Sequence, residues 1–500
     1  MYIWFEGRDF FTNPGLLPFH LKSLLNHRTM NIILVCAIVL LTQFSYGQTK
    51  QFDEVLNYYK TEKNFNGAVL VATNGKIDYL NATGISNRQS GTTLNSKSKF
   101  KIASISKTFT AVLILQLYEH GKIELNVPFG KYFPKYKGEA KNKVTIENLL
   151  NYSSGIPNVA EKIEMKSFQL PLTIDAYIDK YCSGKLEFIP GTKSNYSNTE
   201  YIILQKIIEN ITQKSFESVL QENILRPLKM ENTNMLKSKD IISGLTNSYT
   251  INDSTKIITA DEPYFIENFF GAGAMYSSVE DLLKFDYGIF NYTLLNKATT
   301  ELMIAPNKKL NNVAFGVWYA SGYGTFSKPF IYRTGGILGS CSNWIHTIDD
   351  KKSIIVFNNT NGTNLYELSE QLYLVSNGQN PKITIAKTEK VNRVKTFDLE
   401  KIKGTWVIDL RPDPNSETYL KDFIITPITG KDFSGEFYGT PFETGKFNTD
   451  WELVYFAFTT SDKENVYYHS GYIDVDKISG ISYSPDRKFI SHWTGKKKNL

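Results

Sequence analysis

Ser104 and Lys107 stand at the head of the stretch KIASISKTFTAVLILQLYEHGK, residues 101–122. Only Ile105 and Ser106 separate them, so on a helix they share one face a turn apart. A serine at a helix start sits among free backbone N–H groups and at the positive end of the helix dipole, both of which favour a developing oxyanion. The run that follows, with Phe109 and then Ala111 to Leu115, is apolar. Such surroundings lower a lysine pKa and make the neutral amine accessible as a base, so the pair has the parts of a nucleophile activated without histidine. The competing reading is structural. Ser-x-x-Lys arises by chance in a chain rich in both residues, and Ser104 or Ser106 would serve equally as an N-cap.

Two further stretches carry groups that such a pair needs. FIPGTKSNYSNTEYIILQKIIE places Tyr196, Ser197 and Asn198 after a Pro190-Gly191 turn and before an amphipathic helix. A phenol relays protons when cations depress its pKa, and an asparagine amide can orient both a lysine and a substrate. YRTGGILGS places Arg333, Thr334, Gly335 and Gly336 on a strand. Small residues there let a substrate lie along the strand edge while a backbone N–H points at its carbonyl oxygen. Taken singly, Tyr196 reads as a packed aromatic and the glycine pair as a turn; in this order and company they read as a site.

The elements that must position these groups follow from periodicity. Phe52, Val55, Leu56 and Tyr59 line one helix face, and GAVLVATNGKIDYLNATG reads as a hairpin around Asn74-Gly75. The Ser104 helix is expected to end near Gly121, a good C′ residue. From about Val127 to Phe270 the pattern is mainly helical, most clearly at Tyr201–Ile211 and Ser215–Leu225. Ser277 with Glu280 reads as a capping box. Strand-like runs return at AFGVWYA, FIYRTGGILGSCSNWIHTI and KKSIIVFNNT, and a last helix is expected from Asn364. This order predicts an α+β fold: one antiparallel sheet, split in sequence around a helical subdomain and flanked by helices. Residues 379–400 read as a polar linker, and 401–500 as a separate all-β unit, barrel or sandwich, with Trp406, Trp451 and Trp493 as core.

Bulk properties narrow the function classes. Five hundred residues predict more than one folding unit. A net charge of +6, from 56 basic and 50 acidic residues spread along the chain, gives no basic surface for nucleic acid. Residues 30–47 read as a secretory leader starting at Met30: an apolar run from Ile32 to Leu41, too short to span a bilayer, followed by Ser45-Tyr46-Gly47. Residues 1–29 then read as an overhang ahead of it, and the mature chain is expected to be exported, with no transmembrane span. Cys36 lies in the leader, so Cys182 and Cys341 leave at most one disulfide. The six histidines show no metal-ligand spacing.

Ser104-x-x-Lys107, Tyr196-x-Asn198 and Arg333-Thr334-Gly335 occur in order with their flanking text, GAVLVATNGKI, VTIENLLNYSSGIPN, ILRPLKMENT and GAGAMYSSVEDLLKF. Over about residues 51–376 this text resembles the serine β-lactamase and penicillin-binding-protein superfamily, on the branch of class C β-lactamases, D-Ala-D-Ala carboxypeptidases, D-aminopeptidases and related esterases. The resemblance implies Ser104 as acylated nucleophile, Lys107 as base or proton relay, and Tyr196 as the acid/base for the leaving group and the deacylating water. It implies that Asn198, Arg333, Thr334, Gly335 and Tyr152 bind substrate and that backbone N–H groups of Ser104 and Gly336 form the oxyanion hole. Neither cofactor nor metal is implied. The partner is a small-molecule or peptide substrate with an amide or ester bond, and the alternative is a catalytically silent binding or sensing protein. Arg333 replaces the His or Lys usual in the third motif, and Tyr152 stands where many relatives have His. The GTW at residues 404–406 is similar to the start of lipocalin-like accessory barrels.

Overall fold

The computed structural model describes residues 47–158, 168–252, 254–322, 324–383, 397–451, 453–462 and 464–498. The overhang at 1–29, the leader at 30–47 apart from Gly47, and most of the expected linker lie outside the described residues. Two compact units divide the chain, Met1–Ile385 and Ala386–Leu500.

In the first unit, helix α1 over 47–62 leads into the expected hairpin, β1 Gly67–Thr73 and β2 Lys76–Thr83. Asn74 and Gly75, at φ +49° and +77°, supply the two left-handed positions of its tight turn. Four strands return much later: β3 Trp318–Ala320, β4 Phe330–Ile337, β5 Ser340–Thr347 and β6 Lys352–Asn358. All pair antiparallel in the order β3-β4-β5-β6-β1-β2, so β1 lies in the sheet interior although the chain reaches it first. Because side chains alternate along a strand, Ala68, Leu70 and Ala72 join one core while Val69 and Val71 join another on the opposite face. The second core packs α1 and the last helix, α5 Leu365–Ser376, onto the sheet.

The first core is organised around α2, Ser106–Glu119, whose residues from Ser106 to Leu115 are all buried. A helix enclosed on every side needs no polar face, which explains its unbroken apolar run. Its end falls where expected, with Gly121 left-handed at φ +63°. Two sequence expectations change. The region from Val127 to Phe270 carries α3, Thr199–Thr212, but also a small sheet containing Asn234–Met235 and a ribbon of Tyr249–Ile251 with Ile258–Ala260. The cap of α4, Val279–Phe290, is Ser278 and not Ser277: Ser278 accepts from the Asp281 N–H, whereas Ser277 ends a strand and contacts the Thr233 hydroxyl. Both cysteines are free thiols, so the single possible disulfide is not formed.

The second unit is a closed eight-stranded barrel of sequential neighbours. Its strands are β7 Gly404–Asp409, β8 Leu420–Thr429, β9 Asp432–Phe437, β10 Thr440–Asn448, β11 Val454–Ser461, β12 Val466–Asp474, β13 Lys477–Ser484 and β14 Phe489–Lys497. Trp406 and Trp493 fill its core as expected. Trp451 does not: it lies between β10 and β11, off the alternating strand pattern, and is 67% exposed. Among the described residues no helix is long and apolar enough to cross a membrane.

One buried carboxylate ties α4 to the sheet. Asp286 accepts from Trp344 Nε1 at 2.7 Å and Ser353 Oγ at 2.5 Å, and His346 Nδ1 lies at 2.9 Å. Removing it leaves buried polar groups of β5 and β6 without their acceptor. Asp286→Ala is expected to lower stability by about 3–5 kcal/mol in chemical denaturation of the full chain; a loss below about 1 kcal/mol would contradict this role.

Candidate active site

The residues singled out at 104, 107, 196, 198 and 333–336 converge where the start of α2, the loop before α3 and the edge of β4 meet. Ser104 is not inside α2 but in a single 3₁₀ turn, Ala103–Ile105, that runs into it. The turn is entered through Ala103 at φ +47°, a left-handed conformation that costs a non-glycine residue of order 1 kcal/mol or more and persists only where neighbours impose it. Those neighbours are visible. Ser106 Oγ donates to Ala103 O at 2.6 Å, and Arg333 Nε donates to Ser104 O at 2.9 Å. Ser106 is therefore a brace of the turn, buried and facing away from the site.

Around Ser104 Oγ the distances are those of one hydrogen-bonded cluster. The Tyr196 hydroxyl lies at 2.6 Å and Lys107 Nζ donates from 3.0 Å. Lys107 is wholly buried and held by two carbonyl acceptors, Asn198 Oδ1 at 2.6 Å and the backbone Ala272 O at 2.8 Å. Its ammonium nitrogen stands 4.9 Å from the Tyr196 ring centre. Asn198 precedes α3 directly, so the first turn of that helix fixes its position. Tyr196 keeps one side open to solvent, at 38% exposure.

Arg333 and Tyr152, expected to bind substrate, adjoin the cluster through Tyr196. Both side chains are buried behind the cluster. Arg333 Nη1 donates to the Tyr152 hydroxyl at 2.9 Å and Nη2 to the Tyr196 hydroxyl at 3.2 Å. Its guanidinium lies over three aromatic faces, 4.5 Å from Trp318, 5.2 Å from Tyr196 and 5.7 Å from Tyr152. Among the described residues no carboxylate pairs with it. Burial works against the Tyr196 phenolate, but the charges of Lys107 and Arg333 outweigh it and hold that phenol below the ordinary tyrosine value. Burial instead drives the Tyr152 phenol well above it, against the pull of Arg333. One tyrosine is thereby prepared to ionise and the other to stay a neutral hydroxyl.

The edge of β4 completes the site. Strand alternation turns Arg333 and Gly335 toward the Ser104 turn, while Thr334 and Gly336 remain exposed. A Cβ at Gly335 would stand 2.3 Å from Ile102 O and 3.0 Å from Ser104 N, so only glycine permits this approach. At Gly336 nothing lies within 4 Å. Pairing with β3 stops at Trp318↔Tyr332, so from Arg333 onward β4 has a strand partner on its β5 side only.

Trp318 and Glu200 escaped the sequence reading. Trp318 lay in a run recognisable only as a strand; the register that sets it opposite Tyr332 also brings its ring beside Arg333 and stacks it on Tyr152. Glu200 follows the Tyr196-x-Asn198 motif by two residues and is buried, accepting from Ser154 Oγ at 2.7 Å. Burial pushes its carboxyl up to about 7. Among the described residues no group of three histidine, cysteine, aspartate or glutamate side chains is placed to hold a metal.

Comparison with known proteins places this geometry. The family model described as Beta-lactamase matches residues 52–375. Penicillin-binding protein 4* of Bacillus subtilis is 28% identical over 322 residues, 61% of this chain and 70% of that protein. The teichoic acid D-alanine hydrolase of Staphylococcus aureus is 24% identical over 310 residues, 62% of this chain and 74% of that protein. Among solved structures, the octameric penicillin-binding protein homologue from Pyrococcus abyssi has a TM-score of 0.58 at 19% identity, covering 89% of this chain and 99% of its own. The D-amino acid amidase from Ochrobactrum anthropi SV3 also reaches 0.58, at 18% identity, covering 66% of this chain and 99% of its own. With the family model spanning α1 through α5 and the relatives and folds agreeing, the chain belongs to the β-lactamase family of serine hydrolases.

Proposed function

We propose that this protein is an exported hydrolase that cleaves amides or esters through an acyl-enzyme on Ser104. The observation that carries the reading is the cluster in which Ser104 Oγ has both the Tyr196 hydroxyl, at 2.6 Å, and Lys107 Nζ, at 3.0 Å, within hydrogen-bond reach. In this reading Ser104 Oγ attacks the substrate carbonyl carbon while its proton passes to the Tyr196 oxygen, which Lys107 and Arg333 hold ready to accept it. The carbonyl oxygen becomes an oxyanion against the backbone N–H groups of Ser104 and Gly336. Tyr196 then protonates the leaving amine or alcohol as the C–N or C–O bond breaks. In the second half Tyr196 takes a proton from water as the hydroxide attacks the ester of Ser104, and the acyl–Oγ bond then breaks to release the acid while Tyr196 returns the proton to Ser104 Oγ. Asn198 orients Lys107 and the incoming amide. Export rests on the leader text at 30–47.

The buried state of Arg333 bears on substrate class. Its donors go to the Ser104 carbonyl and two phenols, and its side chain is closed to solvent, so it is not available to a carboxylate beside the scissile bond. This favours esters and amides of amino acids, in which the bond to be cut is terminal or lacks a neighbouring carboxylate, over D-Ala-D-Ala peptides. The hydrolysis of teichoic acid D-alanine by one relative and of D-amino acid amides by a structural neighbour accord with that preference.

A panel of p-nitrophenyl esters, D-amino acid amides, a D-Ala-D-Ala peptide and nitrocefin tests the reading. Esters or D-amino acid amides are expected to be turned over at least about tenfold faster than the D-Ala-D-Ala peptide. Ser104→Ala is expected to lose about a thousandfold or more in kcat, together with any acyl adduct visible by mass spectrometry. Preference for the D-Ala-D-Ala peptide would overturn the substrate class, and residual activity of Ser104→Ala close to wild type would overturn the nucleophile.

The two glycines of β4 give an independent check. Gly335→Ala forces β4 off the Ser104 turn and is expected to lower kcat/KM about a hundredfold, because small displacements at a reacting centre are costly. Gly336→Ala meets open space and is expected to stay within about tenfold of wild type. Equal losses in the two variants would contradict the proposed packing of strand against nucleophile.

A further inference from the structure

The barrel changes character along its axis. Positions facing its interior run Val454, Phe456 and Phe458 on β11 and then end in Thr460; on β12 Ile473 gives way to His469; on β13 Ile478 gives way to Ser482. Aromatic and aliphatic residues thus fill one end, where Trp406 Nε1 also donates to Ile402 O just ahead of β7. The polar end opens into a cavity of about 380 Å³ at the mouth formed by the connections β7–β8, β9–β10, β11–β12 and β13–β14. This volume lies in the lower range of small-molecule sites. Polar side chains inside a barrel this size cost stability unless they are satisfied, and here they gather where the cavity is.

The hydrogen-bond arithmetic of that floor leaves one donor over. Trp493 Nε1 donates to Ser482 Oγ at 2.9 Å, Ser482 Oγ contacts His469 Nδ1 at 2.7 Å, and His469 Nε2 contacts Thr460 Oγ1 at 2.8 Å. Burial lowers His469 to about 4, so at neutral pH its ring carries a single N–H. The tryptophan, serine, histidine and threonine then bring one hydrogen each to only three contacts. Whichever tautomer His469 adopts, the hydroxyl hydrogen of Thr460 or of Ser482 is left over, and both residues line the cavity. Above this floor the walls are aromatic, with Tyr419, Tyr438 and Phe489 at the rim. At the rim Arg487 Nη1 donates to the Tyr467 hydroxyl at 3.0 Å, that hydroxyl donates to Asp462 Oδ2 at 3.0 Å, and the Lys421 ammonium lies over the Tyr419 and Tyr438 rings at 4.9 and 5.2 Å.

We infer that this barrel mouth is a second binding site, for a neutral ring compound of mono- or disaccharide size. Such a ligand has an apolar ring face to lie on the tyrosines and hydroxyl oxygens to accept the surplus hydrogen of the floor. Arg487 and Asp462 are already engaged through Tyr467 and Lys421 lies on the tyrosine rings, so the charged groups of the rim are committed to neighbours and not held out for an ionic ligand.

The test is calorimetry and ligand-observed NMR on the full chain with glucose, maltose, cellobiose, N-acetylglucosamine and its disaccharide. At least one sugar is expected to bind with a Kd of about 1 mM or tighter. Binding should weaken about tenfold in Tyr438→Ala, an exposed rim substitution, and in Thr460→Val, which keeps shape while removing the hydroxyl. Ser104→Ala should bind like wild type, which separates this site from the hydrolytic one. Unfolding of either barrel variant is monitored by its melting curve, and Tyr438→Ala decides where Thr460→Val melts early. Absence of binding by every sugar, binding only of an apolar dye such as 1-anilinonaphthalene-8-sulfonate, or sugar binding unchanged in Tyr438→Ala would each overturn the inference.

Discussion

The buried guanidinium of Arg333 is the constraint on which the site depends. A cation taken out of water is costly, and among the described residues no carboxylate offsets this one. Its charge is met by the Ser104 carbonyl, two phenolic oxygens and three aromatic faces. Each of these contacts also does something else. The bond to Ser104 O holds a strained turn, the bond to Tyr152 ties the loop after residue 150 to β4, and the bond to Tyr196 places positive charge beside the phenol that contacts Ser104 Oγ. One side chain therefore links Ser104, Tyr196 and the sheet edge.

Packing supplies the precision that this linkage needs. β4 approaches the Ser104 turn so closely that Gly335 has no room for a methyl group, and β5 reinforces the contact through Ser342 Oγ, which donates to Ile102 O at 2.9 Å. On the other side α2 is enclosed by the first core, and Lys107 Nζ is held by Ser104 Oγ, Asn198 Oδ1 and Ala272 O. α2, the turn leading into it and β4 thus carry Lys107, Ser104 and Arg333, while Tyr196, in the loop before α3, is fixed by its contacts to Ser104 and Arg333.

Much of this was legible from residue types and spacing. The hairpin at Asn74-Gly75, the return of strands after 318, the barrel after 401 and the grouping of Ser104, Lys107, Tyr196 and Asn198 all follow local rules of turn chemistry, periodicity and motif order. What stayed hidden depends on long-range pairing. Trp318 enters the site only through the register of β3 with β4, and Arg333 faces inward because strand alternation turns it with Gly335 toward Ser104. Trp451 was misplaced for the same reason in reverse, since composition marks an aromatic but not whether it lies on a strand or in the turn beside it. The Ser277 cap failed by one residue because Ser278 presents the same hydroxyl, and only the chain's exit from its strand decides between them.

In the proposed mechanism Lys107 and Arg333 together make Tyr196 acidic enough to exchange protons with Ser104. Carbon-13 NMR of the labelled tyrosine ring, assigned through Tyr196→Phe and followed as pH is raised, measures this directly. Tyr196 is expected to lose its proton below the ordinary tyrosine value of about 10, and its titration is expected to move upward in Lys107→Met. Titration of Tyr196 at or above that value in the wild-type protein would contradict it.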